Sequence, residues 1–412
     1  MEYLQDFFQG ILLENLKDED LAKLSSESKY YNDIKFTKSQ LDEMKNLSNL
    51  KKITNIEQYN KLIKIRDVIL VEELDLGNSN IHSFDIFSGQ TFPKLKYLSL
   101  GINQIKSLEG LSETFPKLEE LNLYYNQISS FKRISINVFS NLEELYLSNN
   151  KITSLEGLSG KIFPKLKGLF LRSNQISSFK GLSEEIFLNL EELNLESNKI
   201  ESFQGLSEKT FPNLKYLYLG NNNLSSFKGL SGEIFPNLEK LLLRSNQIKS
   251  FEGLLENFPK LEELQLAHNQ ISSLEGLSGE IFSSLKELDL GYNKISSFKG
   301  LFGKIFHNLE ILNLYGNQIE SFEGLLPGIF PKLEELNLSD NEIQSFEELS
   351  GKIFDNLMIL NLNGNGIPSL EGLSVEIFPN ILIIHIYNNG ILYEEDIEKI
   401  KAMFPGKIED LE

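Results

Sequence analysis

Leu142-Glu143-Glu144-Leu145-Tyr146-Leu147-Ser148-Asn149-Asn150-Lys151-Ile152 decides the fold, because its pattern, Leu-x-x-Leu-x-Leu-x-x-Asn-x-Ile, returns along most of the 412-residue chain. The asparagine recurs at Asn103, Asn126, Asn150, Asn174, Asn198, Asn222, Asn246, Asn269, Asn293, Asn317, Asn341, Asn365 and Asn389, in steps of 24 residues except for two of 23. A further unit around Leu74 and Leu76 carries Ser79 at the asparagine position, which makes fourteen units. In the quoted unit Leu142, Leu145 and Leu147 alternate as a short strand with one buried face, and Ile152, Leu155, Leu158, Ile162 and Phe163 return across the far side. One coil cannot bury these residues alone, so stacked neighbours must supply the walls of the core.

Three further columns carry the same period. Phenylalanine fills one at Phe131, Phe179, Phe203, Phe227, Phe251, Phe298, Phe322 and Phe346, and another from Phe92 through Phe163 to Phe378, as stacked core aromatics. The asparagines are expected to satisfy backbone donors and acceptors that a tight bend leaves inside the coil. Serines such as Ser154, Ser178 and Ser226 are expected to cap the opposite turn through local backbone bonds. No base accompanies them, so none reads as a nucleophile.

The stretch Ile-x-Ser-Phe-x-Gly-Leu-Ser, as in Ile176 to Ser183, resembles the leucine-rich repeat, in the class shared by bacterial internalins and a protein phosphatase regulator, lengthened through Ile-Phe-Pro. The resemblance covers residues 71 to about 391. It implies an α/β fold, a curved leucine-rich-repeat solenoid, that binds proteins and does no chemistry of its own. Around the solenoid (71–391) the chain divides into a small N-terminal helical domain (1–45), a connector or degenerate first repeat (46–70) and a C-terminal helical cap (392–412). Leu47 and Leu50 stand one period before Val71 and Leu74, and Glu394 to Phe404 reads as a helix with Ile397 and Ile400 inward.

A net charge of −19 argues against nucleic acid and anionic membranes as partners. Much of the acid lies in pairs ahead of each strand, such as Glu191-Glu192 and Glu334-Glu335. These read as a solvated rim or as a docking surface for a basic partner. Cysteine is absent, which removes thiol catalysis and cysteine zinc sites and points to a reducing compartment. Acidic residues in Met1-Glu2-Tyr3-Leu4-Gln5-Asp6 and the lack of a long apolar run point to a cytoplasmic protein. Sequons at Asn46, Asn223 and Asn337 read as chance. The histidines, His82, His268, His307 and His385, lack metal-ligand spacing, and no phosphate loop with its lysine occurs, so no cofactor and no metal is expected.

Ahead of the repeats, Leu12-Leu13-Glu14-Asn15-Leu16-Lys17-Asp18-Glu19-Asp20-Leu21-Ala22-Lys23-Leu24 has helical spacing, and Ser28, Lys29, Tyr31 and Ile34 follow. This segment resembles the F-box, whose pattern matches at Leu12, Leu13, Leu16, Asp20, Leu21, Leu24, Ser28, Lys29 and Ile34, with Tyr31 at the family's tryptophan. It departs at Gln5, where the family has proline, and at Glu27, where it has an apolar residue. The resemblance implies docking on the adaptor of a cullin ubiquitin ligase, with the target on the repeats. The alternative is an amphipathic cap on a repeat scaffold of regulatory or internalin-like type.

Residues between the strand leucines face outward, toward the concave side of such a solenoid. There stand Tyr97, Tyr124, Tyr125, Tyr146, Tyr216, Tyr218, Tyr292, Tyr315 and Tyr387, nine of the chain's fourteen tyrosines. Tyrosine and arginine are favoured at binding hot spots. The strand-centre column Tyr146, Phe170, Tyr218, Leu242, with Tyr124, Tyr125, Arg172, Tyr216 and Arg244 beside it, is the candidate partner surface, about 25 Å across at ~4.8 Å per strand. A bare strand preference of tyrosine is the competing explanation.

Overall fold

The computed structural model describes residues 52–63, 71–110, 114–132, 134, 139–182, 185–254, 256–301, 303–349, 351, 353–369, 371–389 and 394–409. The F-box-like residues Leu12 to Ile34, with the rest of 1–45, lie outside these. The chain divides into two compact units, one of residues up to Lys151 with Gly157–Leu169, the other of Ile152–Glu156 with Phe170 onward.

Each leucine triplet becomes a three-residue strand whose middle leucine is buried and whose flanking residues face outward, since side chains alternate along a strand. In the first unit β1 (Lys52–Ile53), β2 (Glu73–Asp75), β3 (Tyr97–Ser99), β4 (Glu120–Asn122) and β5 (Glu144–Tyr146) pair in parallel, in chain order. Strand β6 (Gly168–Phe170) straddles the division between units. The second unit holds β7 (Glu192–Asn194), β8 (Tyr216–Tyr218), β9 (Lys240–Leu242), β10 (Glu263–Gln265), β11 (Glu287–Asp289), β12 (Ile311–Asn313), β13 (Glu335–Asn337), β14 (Ile359–Asn361), β15 (Ile383–His385) and β16 (Ile408–Glu409). These too are parallel and sequential, with leucine opposite leucine, as in Leu193↔Leu217↔Leu241↔Leu264.

The expected α/β class needs correcting on its helical side. Among the described residues the only α-helices are α1 (Ile56–Ile63) and α2 (Glu394–Met403); the other returns are turns with two short 3-10 stretches, Phe84–Phe87 and Lys299–Leu301. Glycine is the physical reason. In Phe-x-Gly-Leu it takes φ of +101° at Gly181, +102° at Gly205 and +98° at Gly324, outside helical space and open to little but glycine. A Cβ on Gly205 would lie 2.8 Å from the Lys180 nitrogen and 2.9 Å from the Phe179 carbonyl carbon. Gly205→Ala is therefore expected to cost at least about 2 kcal/mol, read from the shift of the urea midpoint.

Both ends differ in register from the sequence expectation. Leu74 pairs with Ile53, not Leu50, and α1 forms the return between β1 and β2. Its Tyr59 is buried, donates to the Ile86 carbonyl at 2.9 Å and lies 5.7 Å from the Phe87 ring, and burial pushes its phenol pKa upward. At the other end α2 is not a closing cap, because β16 follows it and pairs Ile408 with Ile384. The side chains of Ile397 and Ile400 lie outside the described set.

The core is built as columns. Phe227 and Phe251 stack at 5.8 Å and 7°, Phe211 and Phe235 at 6.1 Å and 8°, and Phe298 and Phe322 at 6.4 Å and 2°. The asparagines do more than close their own bends. Asn198 Nδ2 donates to Leu195 O at 3.0 Å, Glu196 O at 3.3 Å and, one coil back, Leu171 O at 2.9 Å, while its Oδ1 accepts from Ile176 N at 3.0 Å. Each amide thus ties two coils together. The serines cap as expected, with Ser154 Oγ accepting from Glu156 N and Ser273 Oγ from Glu275 N, both at 3.1 Å.

Candidate protein-binding surface

The outward side of each strand is set by the alternation that buries its leucine. On the first unit this places Tyr146 half-buried at the end of β5, and Tyr124 and Tyr125 in the loop after β4. Tyr124 packs against Gly101 of the preceding coil, where a Cβ would come within 2.1 Å of its ring. Tyr125 stands edge-on to it, with centroids 5.7 Å apart, and is 57% exposed.

On the second unit Tyr216 and Tyr218 flank Leu217 on β8, and Leu242 on β9 is in register with Tyr218. Phe170, Tyr216, Tyr218 and Leu242 are all half-buried, so each offers apolar surface without leaving the sheet. Two exposed arginines stand in the loops beyond. Arg172 pairs with Glu196 at 3.4 Å, and Arg244 runs its stem over Gly220, where a Cβ would meet its Cγ at 3.0 Å. A glycine one coil back is thus what seats both Tyr124 and Arg244.

The electrostatics of this face are those of a partly desolvated surface. Burial raises the Tyr218 phenol, and the Glu239 carboxylate, 3.3 Å from the Tyr216 hydroxyl, raises that of Tyr216. Burial also lifts the Glu120, Glu192 and Glu287 carboxyls. Lys240, hydrogen-bonded to Glu263 at 2.7 Å, is held more firmly protonated. Much of the acidic rim is paired between neighbouring coils, as in Lys167–Glu143 at 2.6 Å, Lys215–Glu191 at 2.8 Å and Lys286–Glu262 at 2.9 Å. Exposed pairs of this kind contribute little stability.

Three features escaped the sequence reading. The residue before each repeat asparagine adopts a left-handed backbone, at φ of +57° in Asn149, +56° in His268 and +53° in Tyr292. The only trace in the sequence is the frequency of Asn, Ser, Gly and Asp there. Ile102, β-branched and 49% exposed, takes the same conformation at φ +55°. On the return side a second ladder binds carbonyls one coil back, as in Asn213 to Leu188 O at 2.8 Å and Asn237 to Pro212 O at 2.7 Å. Also on that side is a concavity of about 380 Å³ lined by Leu206, Ser207, Glu208, Glu233, Ile234 and Glu256. There the Glu256 and Glu208 carboxylates push the Glu233 carboxyl up.

Among the described residues no group of His, Asp or Glu is placed to hold a metal ion, and no helix is long and apolar enough to cross a membrane. The family model for leucine-rich repeats in two copies matches residues 69–137, 140–184, 236–279 and 283–351, and a second leucine-rich-repeat model matches 188–248. The first covers more than half of the chain, which therefore belongs to the leucine-rich repeat family. No curated protein sequence matches it.

Solved structures similar to it include a leucine-rich-repeat protein of Leptospira interrogans, at 22% identity and TM-score 0.56, over 89% of this chain and 97% of that one. An internalin of Listeria monocytogenes is similar at 23% identity and TM-score 0.55, over 73% and 84%. The Toll–Spatzle complex of Drosophila matches at 21% identity and TM-score 0.52, over 80% and 51%. At these identities the likeness is one of fold.

Proposed function

We propose that this chain is a non-catalytic recognition protein that holds a protein target on the outward face of its sheet. In the second unit the target centres on Tyr218 and Leu242, with Phe170, Arg172, Tyr216 and Arg244 around them; Tyr124, Tyr125 and Tyr146 form a separate set on the first. The observation that carries this is the row of half-buried apolar side chains, Tyr218 in register with Leu242, between strands that present Glu192 and Asn194 on one side and Glu263 and Gln265 on the other. Aromatic anchors with arginines at the margin are what hot spots use. Toll, a neighbour in fold, is seen in complex with Spatzle.

The test is to enrich binding proteins on the immobilised wild-type chain and to titrate them against variants. Tyr218→Ala is expected to weaken a true target at least about thirtyfold, and Asn337→Ala or Asn361→Ala far less. A target that binds undiminished when Tyr218 and Leu242 are both truncated refutes the assignment.

Residues 1–45 extend the proposal. Leu12, Leu16, Leu21 and Tyr31 fit an F-box that docks on a cullin-ligase adaptor in the cytoplasm, which would make this chain the ligase's substrate receptor. A scaffold whose N-terminus is only a cap is the second reading. Purified adaptor separates them, because the F-box reading requires binding that is lost in the Leu16→Ala, Leu21→Ala double variant.

A further inference from the structure

Away from the Tyr218 surface, the second unit carries an aromatic cluster of unusual construction. His268 and Tyr292 stack at 4.2 Å and 14°, and Tyr315 meets Tyr292 edge-on at 4.7 Å and 79°. Both His268 and Tyr292 occupy the left-handed position before the repeat asparagine, where most other coils place Asn, Ser, Gly or Asp and two place Ile102 and Tyr125. An aromatic residue is a costly choice there. Tyr292 leans over the next coil at Gly316, where a Cβ would lie 2.9 Å from its ring, and Asp340 leans in the same way over Gly364.

The cluster is rich in acceptors. The Tyr292 hydroxyl is hydrogen-bonded to the Tyr315 hydroxyl at 2.9 Å, and that bond, with the neighbouring Asp340 carboxylate, raises the Tyr315 phenol. The Tyr292 oxygen and the exposed Asp340 carboxylate offer acceptors to an incoming donor. Ring faces accept positive charge as well. The surroundings agree. On β10 to β13 the strand residues and the two at the left-handed bend that follows each strand include Glu263, Glu287, Asp289, Glu335 and Asp340 and no lysine or arginine, and Lys286, just ahead of β11, is committed to Glu262 at 2.9 Å. The nearest strand lysine, Lys240, is committed to Glu263 at 2.7 Å.

We infer that the Tyr292–Tyr315–Asp340 cluster and the acidic sheet face of β10 to β13 form a docking site for an arginine-bearing protein segment. A guanidinium matches every group offered. It is planar, stacks on aromatic faces and donates to several acceptors at once. The site needs no contribution from Tyr218, so the two surfaces stand or fall separately.

The probe is a dye-labelled nine-residue peptide of alternating arginine and glycine, compared with its citrulline counterpart, which keeps the shape and loses the charge. Fluorescence anisotropy at about 0.15 M salt, where only short-range charge survives screening, reads the affinity. The arginine peptide is expected to bind at least about tenfold more tightly than the citrulline peptide. Tyr292→Asn and Asp340→Asn should each weaken it by about tenfold, and Tyr218→Ala should leave it within about twofold. Tyr292→Asn is chosen because asparagine fills the same left-handed position at Asn149, Asn221 and Asn388, so lost binding cannot be lost folding. The inference is overturned if no binding is measured, if citrulline serves as well as arginine, if Tyr292→Asn has no effect, or if Tyr218→Ala weakens the peptide as much as Tyr292→Asn does.

Discussion

Asn198→Asp is expected to destabilise the chain by about 3–5 kcal/mol at neutral pH, more than Asn198→Ala, which is expected to cost about 1–3 kcal/mol. The two atoms exchanged are nearly the same size, so the difference is electrical. Asn198 Nδ2 faces the carbonyls of Leu171, Leu195 and Glu196 at 2.9 to 3.3 Å, and the residue is 8% exposed. Alanine leaves the Ile176 N–H without its acceptor, whereas aspartate keeps that acceptor but turns a charged oxygen toward three others.

Both burial and those carbonyls favour the protonated acid, so the introduced carboxyl titrates above its unfolded value of about 3.9. Its cost is therefore absent below about pH 4 and grows as pH rises. Urea melts at pH 4 and pH 7.5, each compared with Asn198→Ala, check this. A fixed gap between the two variants at both pH values would mean that the amide does not hold the carbonyls as described.

Phe203→Ala is expected to cost about 3–5 kcal/mol and to split thermal unfolding of the second unit into two steps. Phe203 is 1% exposed and stacks on Phe179 of the preceding coil at 6.2 Å and 10°. Coils contact mainly their neighbours along the chain, so a cavity there weakens one interface while those at Phe227–Phe251 and Phe298–Phe322 keep their packing. Hydrogen exchange is expected to show the amides around Phe203 opening before those of β11 to β13. A single undivided transition at a lowered temperature would show that coupling reaches further than nearest neighbours.

The repeat sequence makes the fold legible because the same packing problem is solved in every coil. Leu145 and Leu193 need only their own spacing to be placed in a core. The return segment was less legible. Its apolar spacing resembles part of a helix, and it takes the close approach of Gly205 to the Phe179 and Lys180 backbone to show why turns replace one. Pairing at the ends was not legible either, since Ile53 lies off the 24-residue period and finds Leu74 only through α1.

The outward residues Tyr218 and Leu242 could be named from alternation alone, because a strand has only two sides. The His268–Tyr292–Tyr315–Asp340 cluster could not. His268, Tyr292 and Asp340 share the position before the repeat asparagine while Tyr315 stands one residue earlier in its coil, and only the left-handed backbone and the glycines beneath bring the rings and the carboxylate together. The sequence by itself determined the solenoid, its columns and its outward face, through the period of its apolar residues. The tertiary structure alone decided which outward groups touch, because those contacts run between coils about two dozen residues apart.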